Sequence, residues 1–388
     1  MGIKGKISIS YNTIKALLFS NGLNIIVLTR REMRSPTNAI LTGLAIADLA
    51  VMIDYIPYAC IGYILPQLNY SREERFTYSW TWFVMFHSIF TQICHTISIW
   101  LTVTLAVWRY IAVRYPQRNR IWCGMKTTLL AIATSYIICP LVVTPPLYLA
   151  FSITPTMELL DEGGNQIKSN TSANVSEGRN VTLYKMLYSE LANENPALLN
   201  SNFWIYSVLI KLIPCVALTL LSVRLIGALL EAKRRRKQLT SNKNEVKQLA
   251  NGKLAERTRK NSKTLEKEKQ TDRTTKMLLA VLLLFLITEF PQGILGLLSA
   301  LLGKDFFSQC YLKLGDFMDI IALLNSGINF ILYCAMSRQF RSTFSFLFRP
   351  RFLERWLPVT QEPDDENQLG RTDVARDRNG LTTQVTQV

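Results

Sequence analysis

The chain is poor in the residues on which most enzymes and metal proteins depend. It holds two histidines, His87 and His95, eight positions apart with no carboxylate cluster beside them, which leaves a metal centre short of ligands. Its seven cysteines never fall at CxxC spacing, so zinc ribbons and dithiol redox sites are excluded. No Ser/His/Asp set or metal constellation emerges, and an enzyme is the least supported class. No small-residue cleavage site follows the first apolar stretch, so that stretch is not a signal peptide. Paired Gly/Pro interruptions in two matching halves, the mark of an alternating-access transporter, are missing as well. Above all, the long apolar runs are nearly free of charge.

Apolar residues make up 49% of the chain although 19% are charged. The two figures fit together only if charge is segregated into links. Seven segments are long and apolar enough to cross a bilayer: residues 8–29, 38–65, 82–113, 127–150, 203–230, 275–302 and 311–336, here called spans 1 to 7. The expected fold is an all-α integral membrane protein, a seven-transmembrane helix bundle. Residues 1–7 form a short outer segment, 8–350 the bundle, and 351–388 a polar, disordered tail. Span 1 is the weakest, interrupted by Lys4, Lys6, Asn12 and Lys15 in its first half. The favoured reading is that the sequence lacks the true beginning of this helix; the alternative is a stubby helix whose lysines reach the outer surface.

Two signals give an orientation. Arg30, Arg31 and Arg34 follow span 1, and Arg114, Arg118, Arg120 and Lys126 follow span 3. Between Glu231 and Lys276 there are 16 Lys+Arg against 6 Asp+Glu. Positive links stay in the cytoplasm. The glycosylation sequons at Asn69, Asn170, Asn174 and Asn180 all fall in the other set of links. The N-terminus is therefore expected outside, the C-terminus inside, and the chain in the plasma membrane. The formal net charge of +16 is topological by this reading, and nucleic acid is not a partner. The outer link 151–202 reads as long and polar, held in solvent by glycans. The inner link is low in apolar residues, with helix 5 extended into it. Residues 338–348 alternate Phe with Arg, as a short amphipathic helix on an anionic membrane surface would. The last residues, Thr386 to Val388, match what a PDZ domain adds to its sheet edge.

Span 3 carries a polar stripe: Thr91, His95, Ser98, Thr102 and Arg109 share one helical face. Such a face cannot point into lipid, because unpaired polar groups cost several kcal/mol there. Either the hydroxyls bond back to their own carbonyls and Arg109 reaches for the interface, or the stripe faces partners inside the bundle. Asp48 in span 2 is a carboxylate at mid-bilayer depth, expensive unless satisfied.

Trp108-Arg109-Tyr110, Leu44-Ala45-Ile46-Ala47-Asp48, Pro214, Phe285 with Pro291, and Asn325-Ser326 followed by Asn329 and Tyr333 occur in this order on seven spans. Together they resemble the rhodopsin-like G-protein-coupled receptors over residues 16–350. The Thr288–Gly293 stretch and the run from His95 resemble the invertebrate myosuppressin and FMRFamide receptor branch, with the sex-peptide receptor as a near relative. The resemblance implies an extracellular amidated neuropeptide as ligand and a heterotrimeric G protein, of the inhibitory type, as partner. A receptor-like scaffold or ligand sink that no longer signals is the alternative.

The resemblance also assigns roles. Trp108, Arg109, Tyr110, Phe285, Pro291, Asn329 and Tyr333 are the implied switch and G-protein-coupling residues. Asp48, Ser98, Asn325, Ser326 and Asn329 match a sodium pocket that favours the inactive state; no other cofactor is expected. A protonated Asp48 in a neutral hydrogen-bond network fits the same residues. His87, Thr91, Gln92, Glu289, Gln292, Asp316 and Asp319 line the implied ligand pocket. Asp319 or Asp316 suits the ligand's arginine better than Glu289, which reads as a structural or switching residue within reach of Lys211. Three family features are absent. The acid usual before Arg109 is Trp108, the proline usual in span 7 is Phe330, and both cysteines of the outer disulfide are missing.

Overall fold

The structure, a computed structural model, describes residues 3–64, 71–161, 178–249 and 279–303 (281 and 285 excepted). Beyond these it describes 306, 309–310, 314, 317, 321, 325, 327, 330–331, 333–335 and 337–348. It divides into two compact units, Met1–Phe344 and Ser345–Val388, the second described only as the last turn of a helix. The predicted tail 351–388 and the motif at Thr386 to Val388 lie outside the described residues.

Five described helices are long and apolar enough to cross a membrane: Pro36–Gly62, Tyr78–Arg114, Met125–Ala150, Pro196–Glu231 and Leu282–Leu302, which are spans 2 to 6. Span 1 is helical over Ile3–Leu28, its apolar part running Ala16–Leu28. Most of span 7 falls outside the described residues. Local chemistry sets the ends. Ser35 caps span 2 by accepting from the Asn38 amide, with Pro36 at the first helical position. Thr77 caps span 3, and Pro116 follows its end, a residue that discourages helix in its predecessor. The helix of span 5 continues to Leu249, into the link as expected.

The bundle closes around Ile99, Ala106, Val143, Ile210, Leu218 and Leu282, contributed by spans 3 to 6. Leu129, Leu130, Ile137, Ile138 and Leu141 of span 4 remain exposed, as a lipid-facing surface requires. The Tyr136 hydroxyl donates to the Gly43 carbonyl at 2.8 Å, tying span 4 to span 2. A Cβ on Gly327 would stand 1.8 Å from Leu17 Cδ2, so the Leu17 side chain of span 1 packs directly over this glycine of span 7.

The link after span 4 departs from expectation. Expected only to be long, polar and held in solvent, it forms a two-stranded antiparallel hairpin, β1 (Phe151–Leu160) and β2 (Arg179–Tyr188), paired from Phe151↔Tyr188 to Leu160↔Arg179. Leu160, Val181 and Leu183 are buried together against Phe76. Val181 and Leu183 share a strand face because strand side chains alternate.

The amphipathic helix appears where expected, Arg338–Phe348. Phe340 packs on Tyr333, ring centroids 5.7 Å apart. Arg341 donates to the Cys334 and Ala335 carbonyls and so satisfies the end of span 7.

Candidate functional site

Three members of the polar stripe of span 3, Thr91, His95 and Ser98, meet partners on other spans. Nearest the hairpin, His87 Nδ1 lies 2.5 Å from Asp54 Oδ2 of span 2, both side chains buried. Thr91 Oγ1 donates to the same oxygen at 3.3 Å. Tyr58 stacks on the His87 ring at 4.2 Å, with Tyr55 and Phe83 nearby.

One layer deeper, Lys211 and Glu289 are fully buried and 2.5 Å apart. Lys211 Nζ also reaches Gln292 Oε1 at 2.8 Å and His95 Nε2 at 2.5 Å. His95 Nε2 is 2.9 Å from Glu289 Oε2. Lys211 belongs to a π-helical stretch, Ile205–Leu212, the wider turn that often marks functional positions. Across the seam, a Cβ on Gly293 would come 3.1 Å from Lys211 Cβ, and one on Gly296 3.0 Å from Ser207 Cβ. The two glycines of span 6 thus let it approach the π-helix closely.

Deeper again, Ser98 Oγ donates to Asp48 Oδ1 at 3.0 Å. Thr102 instead donates back to the Ser98 carbonyl at 2.8 Å, so the self-bonded reading holds for one of the stripe's three hydroxyls, while Thr91 and Ser98 reach span 2. Asn325 is half-buried on span 7, while Ser326 and Asn329 lie outside the described residues. The buried Tyr333 hydroxyl and the buried Asn24 amide have no hydrogen-bond partner among the described residues.

At the far end, Arg109 has no ion-pair partner among the described residues, and its Nε bonds to nothing there. Trp108 turns to span 4: its Nε1 donates to Thr128 Oγ1 at 2.9 Å, and Thr128 donates to the Gly124 carbonyl. Tyr110 is half-buried beside Tyr115. Arg114 pairs with Glu231 at 3.2 Å, joining spans 3 and 5.

The hairpin is fastened to span 3 without a disulfide, since all seven cysteines are free. The Tyr184 amide donates to the Phe76 carbonyl at 3.0 Å, and Thr81 Oγ1 donates to the Tyr184 carbonyl at 2.8 Å. Arg72 pairs with Glu158 at 3.0 Å. Lys185 also pairs with Glu158, and Arg179 pairs with Glu73. Burial pushes the Glu158 carboxyl up, but Lys185 and Arg72 together hold it below the ordinary carboxylate value. The short helix Arg72–Arg75 that carries this clasp opens with a capping box between Ser71 and Glu74.

Of the expected pocket residues, Glu289 and Gln292 come together through Lys211, and His87 and Thr91 through Asp54. Gln92 is half-buried, its Nε2 without a partner among the described residues. Pro291 is exposed on span 6. Asp316, Asp319 and Phe285 lie outside the described residues, as do Asn69, Asn170 and Asn174; Asn180 is exposed on β2. Sequence reasoning missed Asp54, whose signal was a second carboxylate inside an apolar span. It also missed Thr128 and Glu158, whose partners are remote in the chain and leave no local pattern.

A helix bundle with titratable side chains buried in contact at two depths and an arginine at one end fits a G-protein-coupled receptor, a multi-pass membrane protein and not an enzyme. The chain belongs to that class: the family described as serpentine type 7TM GPCR chemoreceptor Srw matches residues 13–255 and 252–350. It is 30% identical to the G-protein coupled receptor dmsr-1 of Caenorhabditis elegans, over 89% of this chain and 69% of that protein. Similarity to the sex peptide receptor of Drosophila melanogaster is 28% over 87% of this chain and 71% of that one. For the FMRFamide receptor of the same fly it is 24% over 88% and 53%.

Proposed function

We propose that this receptor sits in the plasma membrane with its hairpin end outside, binds an amidated peptide ending Arg-Phe-NH2, and signals through an inhibitory-type G protein. Support for the ligand class comes from the likeness to receptors named for peptides, the FMRFamide receptor among them. The observation that carries the choice of pocket residues is that Glu289 is already neutralised by Lys211. A ligand guanidinium gains little from a carboxylate so satisfied. The role of ligand partner therefore goes to Asp319 or Asp316, where a charge-assisted pair is strong once desolvated. The oxygen donors Asp48 and Ser98 suit a hard cation such as sodium, and we assign them a sodium site that favours the inactive state. The terminus at Thr386 to Val388 is assigned to a PDZ partner.

The test is a G-protein activation assay in cells. Amidated Arg-Phe peptides should activate, their free-acid forms should be weaker, and pertussis toxin should block the response. Asp319→Lys should abolish it with surface expression kept. Silence across the peptide panel at good surface expression rejects the ligand assignment and favours a scaffold or ligand sink.

A further inference from the structure

Trp108 deprives Arg109 of a neighbouring acid, so the unliganded bundle needs another restraint. We propose that the Lys211–Glu289 ion pair, completed by His95 and Gln292, is the latch that holds spans 3, 5 and 6 together in the unliganded receptor, and that activation requires it to open. The latch goes beyond the ligand assignment above and does not depend on it.

Both charged side chains are removed from solvent, Lys211 0% and Glu289 1% exposed. An ammonium has three N–H donors. Here it meets three acceptors, Glu289 Oε2, Gln292 Oε1 and His95 Nε2. Span 5 supplies the cation, span 6 two acceptors and span 3 the third. The cluster is therefore closed only while the three spans keep their present spacing. Beside the cluster, Gly293 and Gly296 leave little room between spans 5 and 6, where an added Cβ would crowd Lys211 and Ser207. A shift of span 6 would strip the ammonium of two acceptors at once. In a low-dielectric interior a charge left without its partner is costly, so the pair resists that shift strongly.

The same geometry allows a second arrangement of the cluster. His95 Nε2 lies within bonding distance of both Lys211 Nζ and Glu289 Oε2. As a lone pair it accepts from Lys211; as N–H it donates to Glu289; it cannot do both. In the other tautomer, His95 can keep Glu289 paired after Lys211 has left. Glu289 Oε1 has no partner among the described residues. Two discrete arrangements of one buried network are what a switch needs.

The experiment uses the full chain in lipid nanodiscs, with spin labels carried by non-natural residues at Val223 and Leu283. These positions are exposed on spans 5 and 6, toward the Arg109 end. Distances between them are measured without peptide or G protein. Replacing both charges by apolar residues, Lys211→Met with Glu289→Leu, leaves no unpaired charge and should still fold. It should raise the separated population at least threefold over the unmodified receptor. The exchanged pair, Lys211→Glu with Glu289→Lys, should return the distribution toward the original. A merely structural pair would lower thermal stability in the first variant and leave the distances where they were; that outcome overturns the proposal. Adding the Arg-Phe amide to the unmodified receptor is a separate arm. A peptide that moves nothing counts against the ligand assignment and leaves the latch result standing.

Discussion

Trp108 shows how one side chain can trade a charge interaction for a packing one. A carboxylate at this position would lie beside Arg109; an indole cannot pair with it and needs an acceptor for its own N–H once half-buried. It finds Thr128 on the next span at 2.9 Å. The bond joins spans 3 and 4 at the end where Arg109 waits. A neutral hydrogen bond of this kind contributes about 1 kcal/mol net. Trp108→Phe and Thr128→Val should therefore each lower stability, and the double variant should cost less than their sum by about 1 kcal/mol. Denaturation of the four proteins in nanodiscs measures this coupling; strict additivity would mean that the bond is idle. Residues such as these explain what the sequence could and could not reveal. Ser98 and Asp48 were legible because a helical stripe and an acid at mid-bilayer depth each demand a partner. Thr128 and Asp54 were not, since only three-dimensional packing says which hydroxyl or which acid stands opposite Trp108 and His87.

At the scale of elements, the helices were legible because lipid leaves the backbone no alternative to bonding within itself. The hairpin was not. β1 and β2 are separated by a long polar stretch, and their buried residues Leu160, Val181 and Leu183 find cover only against Phe76, which precedes span 3. Nothing within residues 151–202 announces that cover. The clasp is built from charge where a disulfide is usual, which gives it a different set of sensitivities. Reductant should leave the hairpin in place, since all seven cysteines are free. Acid should release it, with a definite sign. Glu158 is held below its ordinary value of 4.5 in the folded protein. Its contribution is thus complete above that value and is lost as pH falls through the lower folded one. Protection of the β1 and β2 amides, each rate taken relative to its intrinsic rate at the same pH, should stay constant from pH 7 down to about 5 and fall only below the ordinary carboxylate range. Glu158→Gln should exchange faster at neutral pH and lose the acid step. An acid step of the same size in both proteins would move the titration to another group.

Across the whole molecule, the two ends of the bundle differ in what they carry, and that difference argues for its direction in the membrane. Span 3 links them: Thr81 near its start bonds the hairpin, and Arg109 stands near its finish, about 40 Å further along at 1.5 Å per residue. Arg30, Arg31 and Arg34 and the run Lys233–Lys237 fall on the Arg109 side, and cationic links resist translocation. On the hairpin side, Asn180 is exposed on β2 and so is Thr182, the third residue of its sequon. Val181 between them is buried, so the strand turns the acceptor pair outward together. A glycan there meets no steric barrier from the packed face. If the hairpin end is extracellular, Asn180→Gln should remove one glycosidase-sensitive step in mass from protein expressed in animal cells. An antibody to an epitope placed after Val388 should stain only permeabilised cells. Staining of intact cells, together with a mass indifferent to glycosidase, would reverse the orientation and with it the side from which any ligand must arrive.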